Sequence, residues 1–350
     1  MARPSQRIII VTLLLGVIAT LASGCSKKPA EVIAVWPQAS VEQTVAAPPV
    51  PPAWPLTGMV APSKEVTKRR PLSVKIENSP AARPQTGLNS ADVAYETVTE
   101  GGITRFHLVF QSTLPKIVGP VRSARLSDLW IVPQYHGIFF YSGDSASVSA
   151  RIRAAHLPNL SQDAGVSYPY SRSSARPAPH NLYLTISKAY EEAKRRKLAV
   201  TANVPKLDFG LASTLTSATP VKSVYIPFSS FNNVTWTWSA KQGAWLRENN
   251  HRIHRDAQTG KQVAAKNVVV IWARYTVADH DKVGSTTYDI KLGGTGRATI
   301  FRDGRYVDGE WIASRNTPPH FVDRAGKPIK LAPGNTWVQV IGLNVNITMR

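Results

Sequence analysis

Cysteine is nearly missing from this sequence: Cys25 is the single one in 350 residues. That excludes an internal disulfide framework and any zinc site built on several cysteines. Acidic residues are scarce too, 22 Asp and Glu against 42 Lys and Arg, for a formal charge of +20. Such an excess implies an anionic partner or surface. Core material is not lacking. Hydrophobic residues make up 43% and charged residues 18%, which excludes a chain disordered throughout. The length suits two ordinary domains or one large one.

The amino terminus supplies an address. Arg3 and Arg7 precede an uncharged run from Ile8 to Leu21. As a helix this run would reach roughly 21 Å at about 1.5 Å per residue, short of the roughly 30 Å hydrocarbon core. It reads as the apolar part of a signal peptide, residues 1–24. The Leu21-Ala22-Ser23-Gly24-Cys25 run that follows looks like a bacterial lipobox, which implies cleavage before Cys25 and its acylation, palmitate included. Two or three acyl chains, at about 0.8 kcal/mol per buried CH₂, make a stable anchor. The expected location is extracytoplasmic, lipid-anchored to the cell membrane. A basic protein there meets anionic lipid head groups, phosphate-bearing wall polymers or an envelope protein; nucleic acid is not an expected partner.

Residues 25–71 read as a proline-rich tether, with nine prolines between positions 29 and 71. Proline lacks the amide donor and favours extended chain. From Leu72 strands and helices interleave. LSVKIEN alternates as a strand, Gly101-Gly102 suits a turn between two strands, and GIFFYSG is a buried strand. Asp144 or Ser145 is placed to cap a helix, and Thr185 to Lys197 is helical by pattern. The expectation is an α+β or α/β domain over 72–205. After Pro205 the helical signals stop. Short β-branched and aromatic runs, with Asp303-Gly304 as a hairpin turn, predict a β-rich domain over 218–350. Neither half monopolises the charge: 15 basic and 9 acidic residues lie in 71–205, 19 and 10 in 206–350.

Four stretches carry a resemblance: RPLSVKIENSPAARPQTGLNSADVAYETVTEGGITRF, KIVGPVRSARLSDL, RPAPHNLYL and APGNTWVQV. Together they resemble the YerB-like bacterial lipoproteins, a family with an N-terminal and a C-terminal domain and no established activity. The resemblance covers roughly residues 66–345 and implies the two-domain division and the lipid anchor. It brings no catalytic residues with it.

Chemistry is therefore sought in the residues. Arg105 starts a strand, Arg122 and Arg125 bracket a turn from strand into helix, Arg83 lies in the AARPQTG loop, and Arg176, His180 and Asn181 lie in the RPAPHN loop. Guanidinium groups at strand ends and helix starts bind phosphate or carboxylate bidentately, where α/β sheets place their ligands. These seven are the candidate anion-binding residues, expected in one cleft. Alternation puts Glu96 and Glu100 on one strand face, and with Asp144 they are candidate acid/base groups around that cleft. Two functions follow: a module that binds an anionic wall polymer, lipid head group or membrane-protein partner, or a wall-glycan hydrolase or phosphotransferase using Glu96 or Glu100 with Arg105, Arg122 and Arg125. No cofactor and no metal is expected. His251 and His254, flanked by Arg252 and Arg255 with no helix predicted, read as a basic hairpin loop rather than a ligand pair. The many tryptophans and tyrosines of the second half read as core and cross-strand packing before they read as a sugar-stacking surface.

Overall fold

Three consecutive strands set the plan: β1 (Leu72–Glu77), β2 (Val93–Val98) and β3 (Thr104–Phe110). The computed structural model describes residues 50–212, 218–280 and 286–350. Cys25, the signal segment and residues 25–49 of the expected tether lie outside the described residues.

β3 pairs antiparallel with both β1 and β2. Beyond β1 run the parallel strands Ile138–Tyr141 and Asn159–Ser161. Beyond β2 lies Thr336–Gly342, also parallel, then Asn267–Ala273, Gly294–Arg302, Arg305–Ala313 and His320–Val322. The result is one 11-stranded mixed sheet drawn from both halves of the chain. The first half is mixed α/β and the second strand-rich, as the patterns predict. The sequence did not disclose that the two share a sheet, with a C-terminal strand beside β2.

β1 is buried along its whole length, so both faces of the central sheet are covered. Leu72, Val74 and Ile76 of β1 and Phe106, Leu108 and Phe110 of β3 face one side. There they meet Val224, Ile226, Trp236 and Trp245 of a second, antiparallel sheet built on Ser223–Pro227, Asn233–Ser239 and Ala244–Asn249. Trp236, Trp245 and Trp337 are fully buried, so these aromatics are core and not a sugar platform. Each such side chain contributes about 2–3 kcal/mol of hydrophobic stabilisation. The other face carries Tyr95 and Val109 packed on Ile131 and Tyr135, and, toward β1, the polar residues Ser73, Lys75, Glu77, Arg105 and His107.

Among the described residues, three α-helices cover the sheet. α1 (Asp128–Gln134) follows the turn that carries Arg122 and Arg125. α2 (Ala146–Ala154) has Ser145 as its cap, whose hydroxyl accepts from Val148 N at 3.4 Å. α3 (Ile186–Arg195) buries Ile186, Ala189 and Ala193. The Asp303-Gly304 hairpin forms with φ of 52° and 70°, joining Arg302 to Arg305.

One boundary needs correction. Residues 50–71, expected as the distal part of the tether, belong to the folded body that runs from Val50 to Arg350. Trp54, Leu56 and Ala61 are buried, Leu56 joins the core beside Val93 and Tyr95, and the Arg69 guanidinium lies 5.1 Å from the Trp54 ring centroid. The proline-rich composition hid two large apolar side chains whose burial outweighs the preference for extended chain.

Candidate functional site

Register decides which predicted residues can meet. Across β2 and β3, Glu96 opposes Phe106 and Thr97 opposes Arg105. Side chains alternate along a strand, so Glu96 faces the second sheet and Arg105 faces the helices. Glu96 is fully buried and grips the equally buried Arg247, whose Nη2 reaches Oε2 at 2.7 Å and Oε1 at 2.9 Å. Asn78, Thr104 and Asn232 also donate to Oε1. Glu96 therefore has no access to a substrate, and its assignment as an acid/base group is corrected.

Glu100 does not continue the alternation. The turn through Gly101 and Gly102, both at positive φ, swings it to the Arg105 side. Its Oε1 lies 2.5 Å from Arg125 Nε and its Oε2 accepts from Arg125 Nη2 at 2.7 Å, while Arg105 Nη2 stands 3.9 Å away. Burial alone would raise the Glu100 carboxyl; Arg125 and Arg105 outweigh it and hold the group below its usual range.

Around these groups opens a cleft of about 440 Å³ lined by Glu100, Arg105, Ser123, Arg125, Asp144 and Ser145, among others. Two crossing backbone bonds build its wall: Ala124 N donates to Gly143 O at 2.9 Å and Ser142 N to Arg122 O at 3.1 Å. Gly143 is required there, since its φ is 84° and a Cβ would come within 2.9 Å of Ser123 Oγ. Asp144 sits at the rim, its carboxyl raised by desolvation.

Arg105 is the most confined cation of the cleft, 5% exposed. Its Nη1 donates to Ser123 O at 3.0 Å, and its Nε is buried without a hydrogen-bond partner. Desolvation, with Arg125 beside it, pushes the guanidinium down to about 9, so it stays cationic at neutral pH. Arg122 adds to the positive field on Arg105 but does not line the cleft; its Nε stands 3.4 Å from Glu77 Oε2.

The other predicted anion ligands are elsewhere. His180 Nδ1 is 2.9 Å from Glu77 Oε1, which also accepts from Ser79 Oγ. Arg176 clamps the backbone oxygens of Ala82 and Pro84. Asn181 accepts from Arg172 and donates to Ser173 O. Arg83 binds Asn78 and Asn232 on the Glu96 side of the sheet. A single cleft for all seven residues is thus corrected to one built on Arg105 and Arg125, with Arg122 near.

Sequence reasoning missed what stands under the cleft. Lys75 Nζ and His107 Nδ1 both reach Asp128 Oδ1 at 2.8 Å, all three side chains buried. Asp128 Oδ2 accepts from the Arg125 backbone N at 2.7 Å and so fixes the turn that presents Arg125. Burial would raise the Asp128 carboxyl, but Lys75 and His107 hold it well below the ordinary carboxylate range. The one signal available was charge at the inward positions of LSVKIE and TRFHLVF. Among the described residues, no three His, Cys, Asp or Glu gather as a metal site, and no helix is long and apolar enough to cross a membrane.

The comparisons agree with the motif-level resemblance. Residues 56–199 match the N-terminal domain of a protein of unknown function (DUF3048), and residues 224–338 match its C-terminal domain. A Bacillus subtilis (strain 168) protein named "Putative lipoprotein YerB" is 32% identical over 295 residues, spanning 82% of this chain and 85% of that one. The crystal structure of the YerB protein from Bacillus subtilis superposes with a TM-score of 0.77 at 27% identity, covering 85% of this chain and 99% of that chain. With both domain models matched in order and a relative above 30% identity over 82% of this chain, the chain belongs to the YerB-like, DUF3048 family.

Proposed function

We propose that this is a membrane-anchored extracytoplasmic lipoprotein, acylated on Cys25, whose cleft at Arg105 and Arg125 binds an anionic envelope component. Phosphate groups of a wall polymer or a lipid head group fit that chemistry, as does an acidic segment of a membrane-protein partner. The anchor rests on the Cys25 lipobox and on the name of the Bacillus relative. The observation that carries the binding role is Arg105: a confined cation lining the cleft, with no hydrogen bond to a carboxylate and Glu100 Oε2 no nearer than 3.9 Å. Glu100 is engaged by Arg125, which leaves Arg105 to an incoming oxyanion. The hydrolase and phosphotransferase readings lose Glu96, which is sealed behind the sheet, and retain Glu100 and Asp144 at the cleft.

The test is calorimetric titration of the detergent-solubilised full chain with inorganic phosphate and with polyphosphate. Arg125→Ala should weaken both at least about tenfold, as expected for losing a charge-assisted pair of about 1.5–3 kcal/mol, whereas Arg176→Ala should bind as wild type does. Equal binding by all three proteins overturns the proposal. For the anchor, Cys25→Ser should lose palmitate label and leave the membrane fraction; retention of both refutes acylation at that residue.

A further inference from the structure

On the Glu96 side of the sheet lies a second, larger cavity, about 610 Å³, whose walls include Pro80, Arg83, Pro84, Arg252, Ile253 and Arg255. One wall is a hairpin. Glu248 pairs with Ile253 and Asn249 with Arg252, leaving Asn250 and His251 as a two-residue loop with φ of 50° and 58°. Two positive φ values in a two-residue loop make the tight turn that matches strand twist. That turn sets Arg252 and Ile253 on the cavity.

The charge here is unlike that of the Arg105 cleft. Three guanidiniums line the cavity and no carboxylate does. Arg83 is held by neutral acceptors alone: Asn78 Oδ1 at 3.1 Å, Asn78 O at 2.7 Å and Asn232 Oδ1 at 3.1 Å. Arg255 donates to Gly260 O, another neutral acceptor. The neighbouring acids are committed elsewhere. Glu96 is bound by Arg247, and Asp256 accepts from the backbone amides of Gly87, Asn89 and Gln258. Glu248 shares the strand face of its partner Ile253, opposite Asn249, and does not line the cavity. Beside the cations stand three apolar side chains, with Ile253 52% exposed. An exposed isoleucine against uncompensated arginines suits a ligand that is anionic at one end and apolar at the other.

We infer that this cavity is a second binding site, for a phosphate monoester or diester carrying a compact apolar substituent. The guanidiniums of Arg83, Arg252 and Arg255 take the phosphate oxygens, and Pro80, Pro84 and Ile253 take the substituent. The site is independent of the Arg105 cleft, since a sheet separates them.

Phenyl phosphate is the probe, titrated calorimetrically into the full chain in detergent, with inorganic phosphate and phenol as the two halves of its chemistry. Arg125→Ala serves as the background that weakens the first cleft. In that background phenyl phosphate should bind at least fivefold tighter than inorganic phosphate, and phenol should not bind. Adding Arg252→Ala and Arg255→Ala, both at exposed positions, should weaken phenyl phosphate at least tenfold. Ile253→Ser should erase the preference for phenyl phosphate while keeping inorganic phosphate. No binding in the Arg125→Ala background, binding that survives the double arginine replacement, or equal affinity for the two anions overturns the inference. Thermal melts of each variant verify the fold. Failure of the first cleft shows instead as identical phosphate binding by wild type and Arg125→Ala, and leaves this test intact.

Discussion

Glu96 and Arg105 stand on opposite faces of the central sheet, because the β2–β3 register pairs Glu96 with Phe106 and Arg105 with Thr97. The relationship separates two polar systems. One is the sealed Glu96–Arg247 pair; the other is the open cleft at Arg105. Replacing Glu96 by Gln leaves Arg247 as an uncompensated buried charge, which costs about 3–5 kcal/mol. Chemical denaturation should show that loss, and Glu96→Met with Arg247→Met should recover much of it. Phosphate affinity of the folded fraction should be unchanged. A Glu96→Gln protein of wild-type stability contradicts the placement.

Glu100 competes with any anion for Arg125, since its two oxygens hold that guanidinium at 2.5 and 2.7 Å. Glu100→Gln removes the competing charge from a partly shielded site. Phosphate affinity should rise about fivefold, on the order of 1 kcal/mol. Titration calorimetry reads the change directly, and a fall in affinity would assign Glu100 a different role.

Asp144 gives the cleft a pH dependence. Its carboxyl is raised by desolvation, so on acidification it takes up a proton earlier than an ordinary aspartate and removes a negative charge from the rim. Anion binding should therefore strengthen as pH falls below neutrality, by about threefold for one partly exposed charge. Sulfate is the probe, because its own charge stays constant over that range. Asp144→Asn should bind at pH 7 as the wild type does at low pH, with a flat profile; an unchanged profile in that variant removes Asp144 from the cleft.

Asp92 makes a separate stability prediction. It is buried, and desolvation raises its carboxyl from 3.8 to about 6 despite hydrogen bonds from Ser112 and Gln111. The folded state then holds this proton more tightly than the unfolded state. Its contribution is fully present below the unfolded value and is lost as pH rises through about 6, up to about 3 kcal/mol across the window. Urea denaturation of wild type and Asp92→Asn between pH 4 and 7 should differ in slope by that group; parallel curves contradict it.

Local features were legible in the sequence, and long-range ones were not. The α2 cap at Asp144 or Ser145, of which Ser145 serves, the α3 pattern and the Asp303-Gly304 turn each rest on residues within one or two turns of chain. Arg105 and Arg125, two of the seven anion-binding candidates expected together, line one cleft, and strand β3 and the entry to α1 that carry them are close in sequence. What escaped was pairing across distance. Arg247, the partner of Glu96, lies 151 residues away. Alternation alone carried Glu96 and Glu100 to one face, and the Gly101-Gly102 turn broke it. Lys75, His107 and Asp128 showed as charges in apolar runs, but only the fold brings them together.

The most direct test of the central claim is anomalous diffraction from crystals of the protein soaked in tungstate, a heavy phosphate mimic. The account predicts a tungsten peak in the cleft within hydrogen-bond reach of Arg105 and Arg125. A vacant cleft beside well-occupied tungstate elsewhere on the molecule would contradict it.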